Sequence, residues 1–349
     1  MELDGLILPL LSWYQENRRS LPWREDPTPY HIWVSEIMLQ QTRIEAVKGY
    51  YVRFLAALPN IEALSEADEE TLLKLWQGLG YYNRVRNLHK AAVQIVAQYD
   101  GEMPGRYDEL LTLPGIGAYT AGAIASIGFG ECVPCVDGNV LRVVKRYEGG
   151  FEDIANESVK RDVWQRLKSS MEQTLPEGSA GAFNEALMEL GEVICIPNGT
   201  PLCEKCPLAN QCVAHKKNLW QHLPVKSPKK ARRIEERTVF VLRCEESVAL
   251  RKRNEKGLLA GLWELPQVEG HLSEEEAMIW LRERGLEPVT FAKTDPAKHI
   301  FTHVEWHMSG YVVDVEAMAG EGLVWTKKAD REAGYALPSA LDGFLSYLS

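Results

Sequence analysis

The sequence predicts a chain of two domains, in which an all-helical domain is followed by a smaller domain of α-helices and β-strands. The chain has 349 residues, which is more than one ordinary hydrophobic core accommodates. Apolar residues recur at helical spacing up to about residue 215, and short strand-like segments appear only after that point. The expected fold class is therefore multidomain, α followed by α+β.

The first domain, residues 1–215, is expected to consist of helices, because it contains no alternating strand of any length. The clearest helical segments are "ILPLLSWYQEN", "PYHIWVSEIMLQQ", "RIEAVKGYYVRFLAAL", "RVRNLHKAAVQIVAQY" and "AFNEALMELGEVI".

A basic linker is expected at residues 216–235, followed by the second domain at 236–349. The stretch "KKNLWQHLPVKSPKKARR" has many Lys and Arg residues, no acid and two prolines. It fits either a solvated connector or a connector that lies along a phosphate backbone. Beyond it, strands are predicted at "RTVFVLRC", "SVALRKR", "EWHMSGYVVDVEA" and "GLVWTK", and helices at "SEEEAMIWLRERG" and "PSALDGFLSYL".

The overall charge limits the ways in which the chain can bind its partners. The net charge of −10 opposes bulk attraction to a polyanion, so any binding to nucleic acid must come from local basic patches and backbone amides. The early apolar run "LILPLL" is too short to span a bilayer, and no basic residue precedes it. No membrane partner is expected, and the compartment is predicted to be the cytoplasm. Seven cysteines do not indicate a disulfide framework there, because thiols stay reduced.

Four of the cysteines form a compact loop at 195–212, with the spacing C-x7-C-x2-C-x5-C. They are Cys195, Cys203, Cys206 and Cys212. Zinc ribbons usually separate two CxxC knuckles by a dozen or more residues, whereas a cubane needs four thiolates that converge on a small volume. The spacing favours an iron–sulfur cluster over zinc, and over four cysteines without a ligand.

A glycine hairpin lies at the centre of a predicted helix–hairpin–helix unit, at about residues 106–128. "LPGIGAYTAGAI" breaks at Pro114, Gly115 and Gly117, and a helix is expected to start at about Ala118. Backbone N–H groups without an intrahelical partner at such a point can bind a DNA phosphate, and this binding does not depend on the DNA sequence. The alternative is a plain tight turn.

A carboxylate follows the hairpin in "VDGNVLRVVKR", where Asp137 precedes an apparent helix start. An aspartate at this place can be a simple N-cap, which needs only local hydrogen bonds. The alternative is a functional carboxylate beside the hairpin.

These features, with "LPWR" at 21–24, "WVSEIMLQQT" at 33–42 and "GLGYYNRVRNL" at 78–88, resemble one family. The chain is similar over almost its whole length to the MutY-type adenine DNA glycosylases, which are helix–hairpin–helix enzymes with a [4Fe-4S] cluster. Their C-terminal domain is similar to the nucleotide hydrolase MutT. The resemblance implies a helical glycosylase domain with an iron–sulfur loop and a Nudix-like α/β/α domain. It further implies a monomeric, nucleoid-associated enzyme that flips and excises adenine mispaired with oxoguanine or guanine in duplex DNA.

The resemblance assigns the two acids of the reaction to Glu36 and Asp137. Glu36 matches the general acid that protonates adenine N7, and Asp137 matches the carboxylate that stabilises the sugar cation. Glycosidic cleavage needs these two roles independently of any family. Glu36 must hold a proton near neutral pH, which requires a dry pocket, and Trp33, Ile37 and Met38 are expected as its walls. The alternative for Glu36 is an exposed helix acid.

Further residues acquire roles from the same resemblance. Tyr119 occupies the place where bifunctional relatives have a Schiff-base lysine, so base removal without strand cleavage is expected. Tyr119 and Asn139 match partners that position Asp137 and the sugar, and Arg24 matches a contact to the flipped adenine. Gln41 and Tyr81 match residues that insert into the duplex beside the oxidised base. For Tyr81 the alternative is core packing.

The C-terminal domain is expected to bind rather than to catalyse. "KGLLAGLWELPQ" resembles the start of a MutT-like domain, but "SEEEAMIWLRERGLEP" lacks the R-E-x-x-E-E glutamates of the hydrolase metal box. In "FTHVEWH", Phe301, Thr302 and His303 match the loop that contacts oxoguanine. The chain departs from the family pattern in two places: Thr302 replaces a serine, and the first cysteine gap is one residue longer.

Three other functions fit parts of the sequence. A bifunctional lyase for oxidised pyrimidines is opposed by Tyr119 and by the MutT-like domain. An iron–sulfur DNA-binding protein without catalysis is opposed by the presence of both Glu36 and Asp137. A nucleotide pyrophosphatase is opposed by the missing metal box.

Overall fold

The computed structural model describes residues 3–228 and 231–348, and these residues divide into two compact units. The helical unit contains residues 3–67 and 83–228, and the mixed unit contains residues 68–82 and 231–348. Lys229 and Lys230 of the predicted linker lie outside the described residues.

The α-helices occur in both units. In chain order they are α1 Ile7–Asn17, α2 Pro22–Glu25, α3 Pro29–Leu39, α4 Ile44–Ala57, α5 Ile61–Glu66, α6 Glu69–Leu75, α7 Asn83–Tyr99, α8 Tyr107–Leu110, α9 Ala118–Ala123, α10 Gly138–Glu148, α11 Glu157–Thr174, α12 Ala180–Val193, α13 Val213–Lys216, α14 Glu274–Arg282 and α15 Lys328–Gly334. Short 3₁₀ segments lie at Asp4–Leu6, Cys203–Lys205 and Ser339–Tyr347, and a π-turn follows α9 at Ile124–Gly128.

Local signals in the sequence explain where the important helices begin and end. Thr28 caps α3 by accepting a hydrogen bond from the His31 N–H, and Pro29 follows at the first helical position. Gly149 ends α10 in the left-handed conformation, with φ of 72°. The core of the helical unit forms where α1, α10, α11 and α12 bury their apolar faces against one another.

The predicted helix–hairpin–helix is formed by α8, the glycine turn and α9. Gly115 adopts a φ of +77°, and a Cβ at this position would lie 2.6 Å from the Cβ of Asn87. Only glycine fits this turn without strain. Gly117 is the extended N-cap of α9 and leaves open space beside it.

The mixed unit is built on one sheet with strands β1 Arg233–Cys244, β2 Ser247–Lys252, β3 Trp263–Glu264, β4 Gln267–Glu269, β5 Pro288–Lys293, β6 Ala297–Ile300, β7 Val304–Val315 and β8 Leu323–Lys327. The central order is β3-β2-β1-β7-β5, with β4 on β1, β6 on β7 and β8 on β2. Strands β1 and β7 are parallel, and the other pairs are antiparallel.

Both faces of this sheet are covered. Val239 and Val241 of β1 pack with the Ser339–Tyr347 segment, whereas the alternate residues Phe240 and Leu242 pack with α14. The arrangement of a helical unit followed by a mixed α/β unit confirms the predicted fold class.

Three details differ from the expectations drawn from sequence. Strand β1 starts at Arg233, inside the predicted linker, because Arg233 already pairs with Val304 of β7. Residues 68–82 pack with the mixed unit, where α6 contacts α15. The segment Ser339–Tyr347 is a 3₁₀-helix rather than an α-helix. No helix among the described residues has the length and hydropathy needed to cross a membrane.

Candidate active site

Two adjoining pockets of the helical unit share Glu36, Leu39, Tyr119 and Asp137. The first, which we call the acid pocket, is further lined by Arg19, Leu21, Trp23, Arg24, Ile32, Ser35, Thr42, Ile44, Ile127, Asn139, Glu185, Met188, Glu189 and Glu192. The second, the hairpin groove, is further lined by Gln40, Gln41, Gly115, Gly117, Ala118, Thr120 and Gly138. The predicted acids therefore lie where the hairpin meets an enclosed pocket.

Glu36 lies near the end of α3 and is only 7% exposed. Its Oε2 atom has no hydrogen-bond partner among the described residues. The pKa of Glu36 is raised to about 7, mainly by burial. The Tyr119 hydroxyl acts against this rise, and the charges of Asp137 and Glu185 add to it. The side chain can therefore hold a proton near neutral pH, and an exposed helix acid is excluded.

The walls around Glu36 differ from the expected ones. Trp33, Ile37 and Met38 are buried but do not line the pocket. Ile32 and Leu39 line it instead, because residues four before and three after Glu36 share its helix face, whereas adjacent ones do not.

Asp137 is both the N-cap of α10 and a wall of the acid pocket. Its Oδ1 accepts a hydrogen bond from the Val140 N–H at 2.8 Å, and its Oδ2 accepts one from Asn139 Nδ2 at 2.8 Å. Burial raises the pKa of Asp137, although these hydrogen bonds and Arg142 act against the rise. The capping interpretation and the functional one are therefore compatible, because capping fixes the carboxylate at the pocket.

Tyr119 stands in the first turn of α9, at the boundary of the two pockets. Its hydroxyl donates to Met188 Sδ at 2.9 Å. Burial and then the charges of Glu36 and Asp137 raise the pKa of Tyr119 well above its ordinary value, so the phenol stays neutral. No lysine is found among the described residues that line either pocket.

Arg24 reaches the acid pocket but is paired there with acids of α12. Its Nε lies 3.0 Å from Glu185, and its Nη2 lies 2.9 Å from Glu189, which Arg19 also contacts. Burial alone would raise the pKa of Glu189, but Arg19 and Arg24 lower it below the usual value.

Sequence reasoning missed these α12 acids. A signal was present, because positions 185, 189 and 192 place three acids on one face of an otherwise apolar helix.

Helix α10 links the pocket to the cysteine loop. Arg142 Nη2 donates to Asn139 Oδ1 at 2.7 Å and to the Gly191 carbonyl at 2.7 Å, and its Nε donates to the Cys195 carbonyl at 2.7 Å. Asn139 thus contacts Asp137 through its amide nitrogen and Arg142 through its oxygen, which fixes its orientation.

The four loop cysteines line one small pocket beneath α10, together with Arg146. Arg146 Nη1 lies 3.3 Å from Cys195 Sγ, and Cys212 Sγ lies 3.3 Å from the Arg146 carbonyl. Within residues 3–228 and 231–348, no three His, Cys, Asp or Glu side chains are arranged as a ready metal site. Four thiols around one small pocket nevertheless match the donor set of a cubane cluster. The pKa values of Cys203 and Cys212 are raised mainly by burial, and the charges of neighbouring cysteines raise them further.

Gln41 borders the hairpin groove and has a φ of 59°, which is unusual for a residue other than glycine. It follows the C-terminus of α3, where Arg84 Nη1 donates to the carbonyls of Ile37 at 2.8 Å and Met38 at 2.9 Å. The Gln41 side chain is exposed. This strained backbone presents it outward beside Gly115.

Tyr81, in the mixed unit, is likewise exposed and has a φ of 49°. Its hydroxyl lies 2.9 Å from Thr302 Oγ1. Core packing of Tyr81 is therefore excluded, and the residue meets one of the expected reading residues. His303 is also exposed, in the turn between β6 and β7.

Phe301 is expected to contact the oxidised base with Thr302 and His303, and its ring is half-buried in the structure. It packs edge-on against Trp306, with ring centroids 4.9 Å apart, and against His299, at 4.5 Å. These edge-to-face contacts are favourable and hold the Phe301 ring in the turn, and its contact with the oxidised base stays a prediction.

Two family models match the chain. Residues 34–169 match the HhH-GPD superfamily of base excision DNA repair proteins, and residues 238–347 match the NUDIX domain. The first match spans the hairpin, Glu36 and Asp137, and the second spans most of the mixed unit.

Curated relatives match most of the chain. An adenine DNA glycosylase of Buchnera aphidicola (subspecies Acyrthosiphon pisum) is 34% identical over 305 residues, which are 87% of this chain and 85% of the relative. The adenine DNA glycosylase of Homo sapiens is also 34% identical, over 88% of this chain and 66% of the relative.

Solved structures match the helical part. A thermostable thymine-DNA glycosylase has a TM-score of 0.53 and 30% identity, covering 60% of this chain and 94% of that protein. Endonuclease III in a trapped covalent DNA intermediate has a TM-score of 0.50 and 23% identity over 60% of this chain and 93% of that protein, which supports the fold alone.

Proposed function

The chain belongs to the adenine DNA glycosylase family, and from this premise we propose that it excises adenine paired with oxoguanine, or with guanine, in duplex DNA. As a member of this family it is a DNA-binding hydrolase of base excision repair that removes adenine. The identity of the opposite base, the roles of individual residues, the cofactor and the monomeric state are parts of the proposal.

The chemical step is assigned to Glu36 and Asp137. Glu36 donates its proton to adenine N7 as the N-glycosidic bond breaks, so the base leaves neutral. Asp137 stabilises the positive charge that develops on the sugar, and water completes the hydrolysis. The observation that carries this proposal is the unpaired, buried Oε2 of Glu36, in the same pocket as an Asp137 carboxylate fixed by two donors.

The reaction is expected to stop at base removal. A lyase needs an amine that attacks the sugar, and Tyr119 is a neutral phenol. We assign Tyr119 and Asn139 to holding Asp137 and the sugar.

The acids of α12 suit the leaving base. Adenine presents an exocyclic amino group as a hydrogen-bond donor, and the carboxylate of Glu185 is an acceptor in the acid pocket. Arg24 lies beside it at 3.0 Å, so the pair can offer both an acceptor and a donor to the flipped base.

A [4Fe-4S] cluster is proposed as the cofactor of residues 195–212. Cys195, Cys203, Cys206 and Cys212 would hold it, and when bound it supplies iron–thiolate bonds that tie the loop to the end of α12. Arg142 and Arg146 of α10 also contact this loop, through hydrogen bonds to the Cys195 and Ile196 carbonyls.

In the helical unit, Gln41 is assigned to insertion beside the oxidised base, and Gly115 and Gly117 to binding backbone phosphates. In the mixed unit, Tyr81, Thr302 and His303 are assigned to recognition of the oxidised base. Tyr81 can stack into an opened base step, and Thr302 and His303 offer hydrogen-bonding groups from an exposed turn. We assign the helical domain to catalysis and the MutT-like domain, from about 236, to this recognition.

The test is single-turnover excision by the full-length protein on duplexes with adenine opposite oxoguanine, guanine or thymine. Free adenine is measured by chromatography, and strand breaks are measured with and without alkali. We expect adenine release opposite oxoguanine and guanine, with breaks only after alkali. Absence of release would refute the function, and breaks without alkali would refute the single activity.

A further inference from the structure

The segment that leads to Asp137 has no regular secondary structure of its own. Residues 131–137, which we call the strap, run between the π-turn after α9 and the start of α10. Val133, Pro134 and Cys135 in its middle are buried. Buried backbone without a helix or sheet must find hydrogen bonds elsewhere, so its partners determine its position.

One side chain bonds the buried middle of the strap on both sides of Pro134. Asn184 of α12 is fully buried, and its Oδ1 accepts a hydrogen bond from the Cys135 N–H at 3.0 Å. Its Nδ2 donates to the Val133 carbonyl at 2.8 Å and to Ser126 Oγ at 2.8 Å. The Asn184 amide thus hydrogen-bonds the strap on either side of Pro134 and links it to Ser126 of the π-turn.

Close backbone packing holds the same region from two sides. A Cβ on Gly122 of α9 would lie 2.7 Å from the Pro134 carbonyl oxygen. A Cβ on Gly181 of α12 would lie 2.8 Å from the Ile127 Cα. Gly122 thus packs directly against the strap, and Gly181 packs against the π-turn to which Asn184 also bonds.

We propose that Asn184 is a positioning residue that sets where the Asp137 carboxylate stands in the acid pocket, and this inference rests on the proposed function. Only two residues separate the Cys135 N–H from Asp137, and an extended residue spans about 3.3–3.6 Å, so a shift of the strap at Cys135 is transmitted to the residue that caps α10. Asn184 touches none of the pocket itself and acts through the strap.

The expected size of the effect follows from geometry. A misplacement of about 1 Å in a catalytic group costs about 100-fold in rate. Removal of the Asn184 amide takes a hydrogen-bond partner from the Cys135 N–H, the Val133 carbonyl and Ser126. Buried polar groups without a partner are costly, so we expect the strap to shift until these groups find other partners.

The experiment compares Asn184→Ala with Leu187→Ala in the full-length protein. Leu187 is fully buried on the same helix, does not line the pocket and makes no side-chain hydrogen bond to the strap, so it controls for lost stability. Three quantities are measured well below the melting temperature: the single-turnover rate constant for adenine excision, the Kd for a duplex carrying a non-cleavable adenine analogue, and Tm. Ser126→Ala, which removes one of the three hydrogen bonds of the Asn184 amide and a weak contact to Cys135 Sγ, is the milder variant if Asn184→Ala does not fold.

We expect Asn184→Ala to lower the rate constant about 100-fold with an unchanged Kd, and Ser126→Ala to lower it several-fold. Leu187→Ala should keep the wild-type rate constant despite a lowered Tm. If Asn184→Ala, or Ser126→Ala in its place, lowers only Tm and excises at the wild-type rate, the positioning role is wrong. If the wild-type protein itself releases no adenine, the proposed function fails instead.

Discussion

Glu36 illustrates how a buried acid links activity to pH. Its pKa is raised to about 7 because burial opposes its charged form. The proposed reaction uses the protonated carboxyl, so the excision rate should fall as pH rises through about 7.

The same pKa shift affects stability. The pKa of Glu36 is higher in the folded protein than in the unfolded chain. At low pH Glu36 therefore does not lower the free energy of unfolding, but above the folded pKa it lowers that free energy by on the order of 3 kcal/mol. The penalty develops between the unfolded and the folded pKa, from about pH 4.5 to about 7.

Glu36→Gln should therefore separate activity from stability. Excision should fall about 100-fold or more because the amide has no acidic proton to give. The free energy of unfolding should rise relative to wild type at pH 8 but not at pH 4. Denaturant melts and single-turnover rates measure the two effects. Glu45→Gln, on an exposed acid of α4, should change neither, and a destabilised Glu36→Gln at pH 8 would contradict the burial argument.

Single residues also show how far the sequence predicted which residues lie together. Glu36, Asp137 and Tyr119 were assigned from short motifs, and the structure brings all three to one pocket. Glu185 and Asn184 were missed, because their partners lie far away in sequence. The acids of α12 show as one helix face in the sequence, but Arg24 and Glu185 are 161 residues apart, and no local pattern indicates that they pair.

At the scale of elements, the proposed binding of phosphate by the hairpin turn is the simplest role to test. Gly115→Ala would strain a φ of +77° and would push against Asn87, displacing the amides proposed to bind phosphate. We expect duplex affinity to fall about tenfold, with a loss of stability of about 1 kcal/mol.

Gly178→Ala is the matched control, because Gly178 has a φ of +73° and open space around it. It should show the stability loss without the loss of affinity. Equal affinities for the two variants would mean that the hairpin does not bind the duplex.

The cysteine loop is a second element with a clear prediction. Cys203→Ser should lower the iron content of protein purified without oxygen, because a hydroxyl is a poor ligand for iron. Cys244→Ser replaces a buried free cysteine of β1 and should leave the iron content unchanged. Elemental analysis gives the result, and zinc in place of iron in the wild-type protein would overturn the cluster.

Elements were predicted less evenly than residues. Long amphipathic helices such as α7 and α12 follow from their periodicity, because tertiary contacts agree with the local pattern. The start of β1 was missed because Arg233 and Glu235 continue the charged run of the predicted linker. Glu235 pairs with both Arg233 and Arg237 in the strand, so the charges along it are partly compensated.

At the scale of the whole molecule, we assign catalysis to the helical domain and recognition of the opposite base to the MutT-like domain. This assignment is best tested in the intact chain. Residues 68–82 pack with the mixed unit, so a truncation near residue 225 would remove their support. This could not be foreseen from sequence, because the segment lies inside the predicted helical domain.

Thr302→Ala combined with His303→Ala should narrow the preference for adenine opposite oxoguanine over adenine opposite guanine. Each lost hydrogen bond is worth about 0.5–1.5 kcal/mol, so the ratio of the two excision rates should fall about tenfold. The basal rate on the guanine duplex should stay unchanged. His271→Ala, on another exposed histidine of the mixed unit, is the control. An unaltered ratio in the double variant would mean that this turn does not read the base.

The most direct test of the account is single-turnover excision by Asp137→Asn on a duplex with adenine opposite oxoguanine. Asparagine is as good an N-cap as aspartate, so α10 and the fold should persist while the charge is lost. The wild-type protein should release adenine and leave an alkali-labile site, and the variant should bind the duplex with similar affinity but release almost no adenine. Release by Asp137→Asn at a rate near that of the wild type would contradict the assignment of this pocket as the active site.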